Sequence, residues 1–76
     1  MKVKNVIKGL AKQYNIEAVR IITPERVLFS GDFSQWAATS IDMIHFKKQV
    51  ENLEVINRIM FNNREAFIFT PELDTN

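Results

Sequence analysis

The sequence predicts a single α+β domain over residues 1–76, with two helices packed on a four-stranded antiparallel sheet in the order α-β-β-α-β-β. Three observations predict it. Apolar residues recur at three- and four-residue spacings in two segments, β-branched and aromatic residues cluster in four others, and turn-forming residues separate these segments. With 46% apolar and 25% charged residues, the composition is typical of a globular protein.

The first element is predicted to be a helix of about three turns, ending near Asn15. Its apolar stripe consists of Val3, Val6, Ile7, Leu10 and Tyr14. Lys4, Lys8 and Lys12 fall on the other side of this helix at four-residue steps. Residues 16–23 and 26–30 then read as a β-hairpin, because Pro24 favours a turn between two segments rich in β-branched residues.

A second helix is predicted to begin near Ser34, after Gly31 interrupts the strand. Asp32 and Gln35 have the three-residue spacing of a capping box. A broad apolar arc follows, formed by Trp36, Ala37, Ile41, Met43, Ile44 and Phe46. We expect this helix to end near residues 47–48, where two lysines suit a helix C-terminus, although Val50 and Leu53 would extend the same arc.

The second hairpin is predicted from alternation along residues 53–61, a turn at Asn62 and Asn63, and a strand from Glu65 to Thr70. A two-residue turn there would pair Phe61 with Arg64 and place Arg58 opposite Phe67. Pro71 is expected to end the strand, with residues 72–76 as a frayed tail.

Both faces of this hairpin are apolar. One face carries Leu53, Val55, Ile59, Ala66 and Ile68. The other carries the residues that we expect to contact a partner, namely Ile56, Arg58, Met60, Phe67 and Phe69. The alternative is that a helix or the tail covers this second face and makes it part of the core. Trp36 is expected in the core or at its rim.

The sequence contains no spacing pattern that would bring together side chains suited to catalysis or metal binding. His45 is the only histidine, cysteine is absent, and the nine carboxylates are spread evenly. Gly9 and Gly31 stand apart, so neither predicts a phosphate-binding loop. We therefore expect His45 at the surface, and we expect neither an enzyme nor a bound metal or cofactor.

Charge is distributed unevenly although the net charge is only +1. Residues 1–14 hold four lysines and no acid, whereas the remainder has six bases and nine acids, a net 6 − 9 = −3. The row of Lys4, Lys8 and Lys12 could follow a phosphate backbone, but a solvated helix face is the commoner use of such a row. No apolar run is long enough for a membrane span or a signal segment, so we expect a cytoplasmic protein without a membrane partner.

Three segments resemble small α+β proteins encoded by phages and prophages of Gram-positive bacteria. They are residues 3–7 (VKNVI), 27–32 (VLFSGD) and 65–69 (EAFIF). The resemblance implies a protein that binds and blocks a host machine, as anti-CRISPR proteins do.

The expected function is thus that of a non-enzymatic protein-binding module whose partner is a host or phage protein. A nucleic-acid-associated protein that uses the lysine row is the alternative. A homodimer that buries the apolar face is compatible with either function.

Overall fold

The computed structural model describes residues 1–13 and 15–73. Tyr14 and residues 74–76, which belong to the predicted first stripe and tail, lie outside the described residues. The elements are helix α1 (Val3–Ala11), strands β1 (Ala18–Ile22) and β2 (Val27–Asp32), helix α2 (Phe33–Ala37), a 3-10 turn (Ile41–Met43), helix α3 (Ile44–Glu51), and strands β3 (Met60–Asn62) and β4 (Glu65–Phe69).

The four strands form one mixed sheet in the order β2-β1-β4-β3. The α+β class and both hairpins are confirmed, since β1 pairs with β2 and β3 pairs with β4 in antiparallel fashion. The prediction of a purely antiparallel sheet is wrong, because β1 and β4 run parallel. A parallel pair needs a long connection, which here runs from β1 through β2, the helices and β3.

The core lies on one face of the sheet. Helix α1 buries its stripe of Val3, Val6, Ile7 and Leu10 against this face, as predicted. The inner strands supply Val19, Ile21, Ala66 and Ile68, each with no exposed surface. Trp36 of α2 and Val50 of α3 join the same cluster. All three helices therefore bury their apolar side chains on the same side of the sheet.

The middle of the chain is not one helix, contrary to expectation. Helix α2 ends at Ala37, and α3 begins at Ile44 after the 3-10 turn. The Thr39 hydroxyl donates to the Trp36 carbonyl at 2.6 Å, a local hydrogen bond that accompanies the end of the first helix. Helix α3 also continues past the predicted end at residues 47–48, because Val50 is fully buried in the core.

The start of α2 is confirmed as a capping box. The Gln35 N–H donates to the Asp32 carboxylate at 2.8 Å, and the Asp32 N–H donates to the Gln35 side-chain oxygen at 2.9 Å. The Gln35 N–H and then the Ser34 hydroxyl, which donates at 2.7 Å, lower the pKa of Asp32 from its ordinary value of 3.8.

The second hairpin is shorter than predicted and has another register. Asn57 adopts a positive φ of 60°, so the predicted strand over residues 53–61 is interrupted and β3 begins only at Met60. The turn uses a positive φ of 57° at Asn63, and Met60 pairs with Phe67. The predicted pairs Phe61–Arg64 and Arg58–Phe67 are therefore wrong.

The chain ends of the described region are held in place. The N–H of Val3 donates to the Leu53 carbonyl at 3.0 Å, and the N–H of Val55 donates to the Met1 carbonyl at 2.8 Å. Leu73 packs against the core cluster, and the Glu72 carboxylate lies 3.4 Å from Arg26 Nε. The predicted fraying is therefore wrong for residues 72–73.

Candidate functional site

The sheet face opposite the helices, which we call the open face, lies outside the core cluster. Strand side chains alternate, so the neighbours of the buried residues in β1 and β4 point to this face. The strand register assigns to it Ala18, Arg20, Ile22, Val27, Ser30, Asp32, Met60, Asn62, Glu65, Phe67 and Phe69. Val27 and Met60, at its two edges, are 51% and 50% exposed. Ile22, Phe67 and Phe69 near its centre are half-buried.

Arg20 organises the middle of the open face. Its guanidinium carbon lies 5.4 Å from the centroid of the Phe67 ring. Its Nε lies 3.5 Å from the Glu65 carboxylate and donates to the Ser30 hydroxyl at 3.3 Å. Contacts to side chains of β2 and β4, the strands on either side of β1, thus hold the Arg20 guanidinium over the Phe67 ring.

Of the five predicted contact residues, three lie on the open face. Met60, Phe67 and Phe69 share it, with Met60 directly opposite Phe67. Ile56 is 40% exposed, and its N–H donates to the Phe69 carbonyl at 2.8 Å. Ile56, which precedes β3 in the chain, therefore extends the surface next to Phe69 of β4. Arg58 is exposed but lies in the loop before β3 and pairs with no strand residue.

A shallow cavity of about 310 Å³ lies at the end of the open face. Ile22, Pro24, Ile56 and Phe69 contribute to its lining. The cavity joins the first hairpin turn to the loop before β3, two segments far apart in the sequence. Side chains from both hairpins thus extend the apolar surface at this end.

Sequence reasoning missed Arg20, Ile22 and Val27 as members of the face. The signal was present in part, because Arg20 stands between two buried residues, Val19 and Ile21, in an alternating strand. The parallel pairing of Arg20 with Phe67 carried no such local signal.

The other candidate residues lie elsewhere. Lys4, Lys8 and Lys12 are exposed along α1 and its end, and none forms an ion pair with any residue in the described ranges. His45 is exposed on α3, as predicted. Trp36 is 6% exposed, and its ring packs edge-on against Phe29 with centroids 4.9 Å apart, which makes it a core residue.

In the described part of the chain, no group of three or more His, Asp or Glu side chains could hold a metal ion. Within residues 1–13 and 15–73, no helix is long and apolar enough to span a bilayer. The chain matches no protein-family model, no curated protein and no solved structure.

Proposed function

We propose that this chain is a protein-binding module whose contact surface is the open face. One observation carries the proposal: the helices bury their apolar side chains on one side of the sheet, while the other side presents Phe67, Phe69, Met60 and a stacked Arg20. Aromatic residues, Met and Arg are the residues enriched in protein interfaces.

The arrangement of Arg20 also suits binding. Ordering a flexible side chain on association costs about 0.5–1.5 kcal/mol. Arg20 is already held by Phe67, Glu65 and Ser30, so part of this cost is met before a partner arrives. Met60, at the edge, is unbranched and can adapt to the shape of the partner.

The resemblance to phage-encoded proteins supports a host or phage protein as the partner. On this proposal the module acts without chemistry, by occupying a surface that the partner needs for its own function. The cavity at Ile56 is shallow and lies at one end of the open face, so the aromatic and Met side chains beside it suit a protein surface better than an enclosed small ligand.

The test compares two neighbouring residues of β3. Met60→Asp changes the open face, whereas Phe61→Asp changes a side chain of similar exposure, 54%, that lies on the helix side. The tagged wild type and both variants are used to capture proteins from nuclease-treated lysate of the natural host. We expect one protein to be retained by the wild type and by Phe61→Asp but lost with Met60→Asp, with circular dichroism showing that all three fold.

Phe67→Ser provides a second readout on a central strand. It should weaken capture of the same protein while a cooperative thermal transition remains. If both β3 variants retain the same protein, or if Phe67→Ser abolishes folding, the open face is not the contact surface.

A nucleic-acid-binding role for α1 is the second candidate, favoured by the exposure of Lys4, Lys8 and Lys12 and by their lack of ion pairs in the described chain. Three phosphate contacts to duplex DNA predict a slope of about −2.7 for log affinity against log salt. Reversing the three charges should remove this affinity. Absence of binding by the wild type at low salt would exclude the role.

A further inference from the structure

A second concave surface lies on the helix side of the sheet, apart from the open face. It is a pocket of about 240 Å³ between β2, α2 and the start of α3. Phe29, Trp36, Met43 and Phe46 give it an apolar lining, and Ser40 and Lys47 also line it. Trp36, Phe29 and Phe46 also pack in or against the core cluster, whereas the proposed role of the open face does not use this pocket.

The size of the pocket limits what it can hold. An apolar cavity of about 150 Å³ accommodates benzene, and pockets for drug-sized ligands start near 300 Å³. A volume of about 240 Å³ therefore fits one aromatic side chain. Trp36 and Phe29 meet edge-on in its wall, so an entering ring would find aromatic surfaces to pack against.

The positive charge of Lys47 at the pocket favours an acidic residue next to the inserted aromatic side chain. The Lys47 ammonium lies 5.3 Å from the centroid of the Trp36 ring. Lys47 takes part in none of the ion pairs found among residues 1–13 and 15–73. A carboxylate close to the bound ring would give this cation a partner in partly desolvated surroundings.

The surroundings of the pocket favour a polypeptide over a small molecule. Met43 lines the pocket and is 47% exposed, and Ile41 and Ile44, which flank it in the chain without lining the pocket, are 84% and 46% exposed. A single ring would leave these exposed apolar side chains in water, whereas a peptide that extends beyond the pocket along this segment can contact them.

We propose that this pocket binds an acidic peptide segment of another protein, with an aromatic side chain inserted beside Trp36 and an adjacent carboxylate paired with Lys47. The open face is not needed for this interaction. The two sites can therefore be tested separately.

The test uses a blocked pentapeptide, Ser-Glu-Phe-Glu-Ser, with one version carrying Gln for both Glu and another carrying Ala for Phe. Trp36 is the only tryptophan, so its fluorescence reports occupancy directly, and calorimetry gives the affinity. We expect the Glu peptide to bind the wild type roughly two- to fivefold more tightly than the Gln peptide, the range of a partly exposed ion pair. The Ala peptide should not bind measurably.

Lys47→Gln should remove the preference for the Glu peptide and leave the affinity for the Gln peptide unchanged. Lys48→Gln is the matched control, because Lys48 is an exposed lysine on the same helix that does not line the pocket, and it should keep the preference. Ser40→Phe places a ring at the exposed Ser40 in the pocket wall and should weaken all peptides at least tenfold.

Several results would overturn the proposal. They are no binding of the Glu peptide at millimolar concentration, equal affinity for the Glu and Gln peptides, and equal effects of the two lysine variants. Binding of 3-phenylpropionate without binding of the Glu peptide would instead assign the pocket to a small aromatic acid.

Discussion

Because the core lies on one side of the sheet, two apolar side chains on neighbouring strands should contribute very differently to the free energy of unfolding. Ile68 of β4 has no exposed surface and faces the helices, whereas Met60 of β3 is 50% exposed on the open face. Truncation of a fully buried isoleucine to alanine removes its transfer free energy and leaves a cavity, at a cost of about 2–5 kcal/mol. A domain of this length has roughly 4–11 kcal/mol of stability, so Ile68→Ala should remove a large part of it.

Met60→Ala should cost much less, within about 1 kcal/mol, because half of the side chain is already in water and the edge strand can adjust. Stability is measured by urea unfolding, followed by far-ultraviolet circular dichroism and by Trp36 fluorescence. The two probes should give coincident transitions if unfolding is two-state.

The comparison is repeated over a hundredfold range of protein concentration. If Met60→Ala costs as much as Ile68→Ala at every concentration, the open face is covered within the monomer and our account of the sheet is wrong. If the cost of Met60→Ala appears only at high concentration, a symmetric dimer buries the face. A cost below about 1 kcal/mol for Ile68→Ala would show that β4 is not a core strand.

Three further variants test the local structure. Gly9→Ala in α1 should raise stability by about 0.5–1 kcal/mol in urea unfolding, because nothing lies within 4 Å of the added Cβ; a loss would contradict the helix. Gly31→Ala should lower the melting temperature, because its Cβ would lie 2.2 Å from the Gln35 side-chain oxygen that caps α2; an unchanged melting temperature would show that the cap contributes little. Asp32→Ala should lower the melting temperature at neutral pH. The lowered pKa of Asp32 means that its stabilising contribution is present above 3.8 and is lost as the pH falls through the folded-state pKa, so the gap between wild type and variant should close in acid. A gap that is independent of pH would refute this assignment.

Local interactions account for what the sequence predicted well. The capping box at Asp32 and Gln35, the first hairpin and the stripe of α1 all depend on residues a few positions apart. Such patterns are visible in the sequence because each is stabilised within one element or between two adjacent elements.

Tertiary contacts account for what the sequence did not predict. Val50 extends α3 because it is buried in the core cluster beside α1, and that burial is invisible to a window of neighbouring residues. The parallel pairing of β1 with β4 likewise joins segments more than forty residues apart. Asparagine tolerates positive φ at several places, and the sequence did not reveal that Asn57 and Asn63, rather than Asn62, adopt it.

Met60, Phe67 and Phe69 kept their predicted face despite the error in register, for a geometric reason. The predicted and observed pairings of β3 with β4 differ by two residues, and a two-residue shift leaves the side chains that remain in these strands on their original face, whereas Arg58 lies in the loop before β3. Met60, Phe67 and Phe69 therefore share a face in both pairings. Only the neighbour of Phe67 changed, from Arg58 to Met60 on one side, with Arg20 on the other.

The two proposed surfaces should differ in their response to salt. On the open face Arg20 already has Glu65 as its counterion, so a partner gains mainly from apolar burial and stacking there. At the helix-side pocket Lys47 takes part in none of the ion pairs found among the described residues, so a bound carboxylate supplies a direct partner for its charge. At 1 M salt the screening length falls to about 3 Å. Raising the salt should therefore weaken the Glu peptide towards the affinity of the Gln peptide, while capture through the open face persists. If capture through the open face is lost at 1 M salt while the preference for the Glu peptide remains, then charge, and not the apolar surface, holds the partner of the open face.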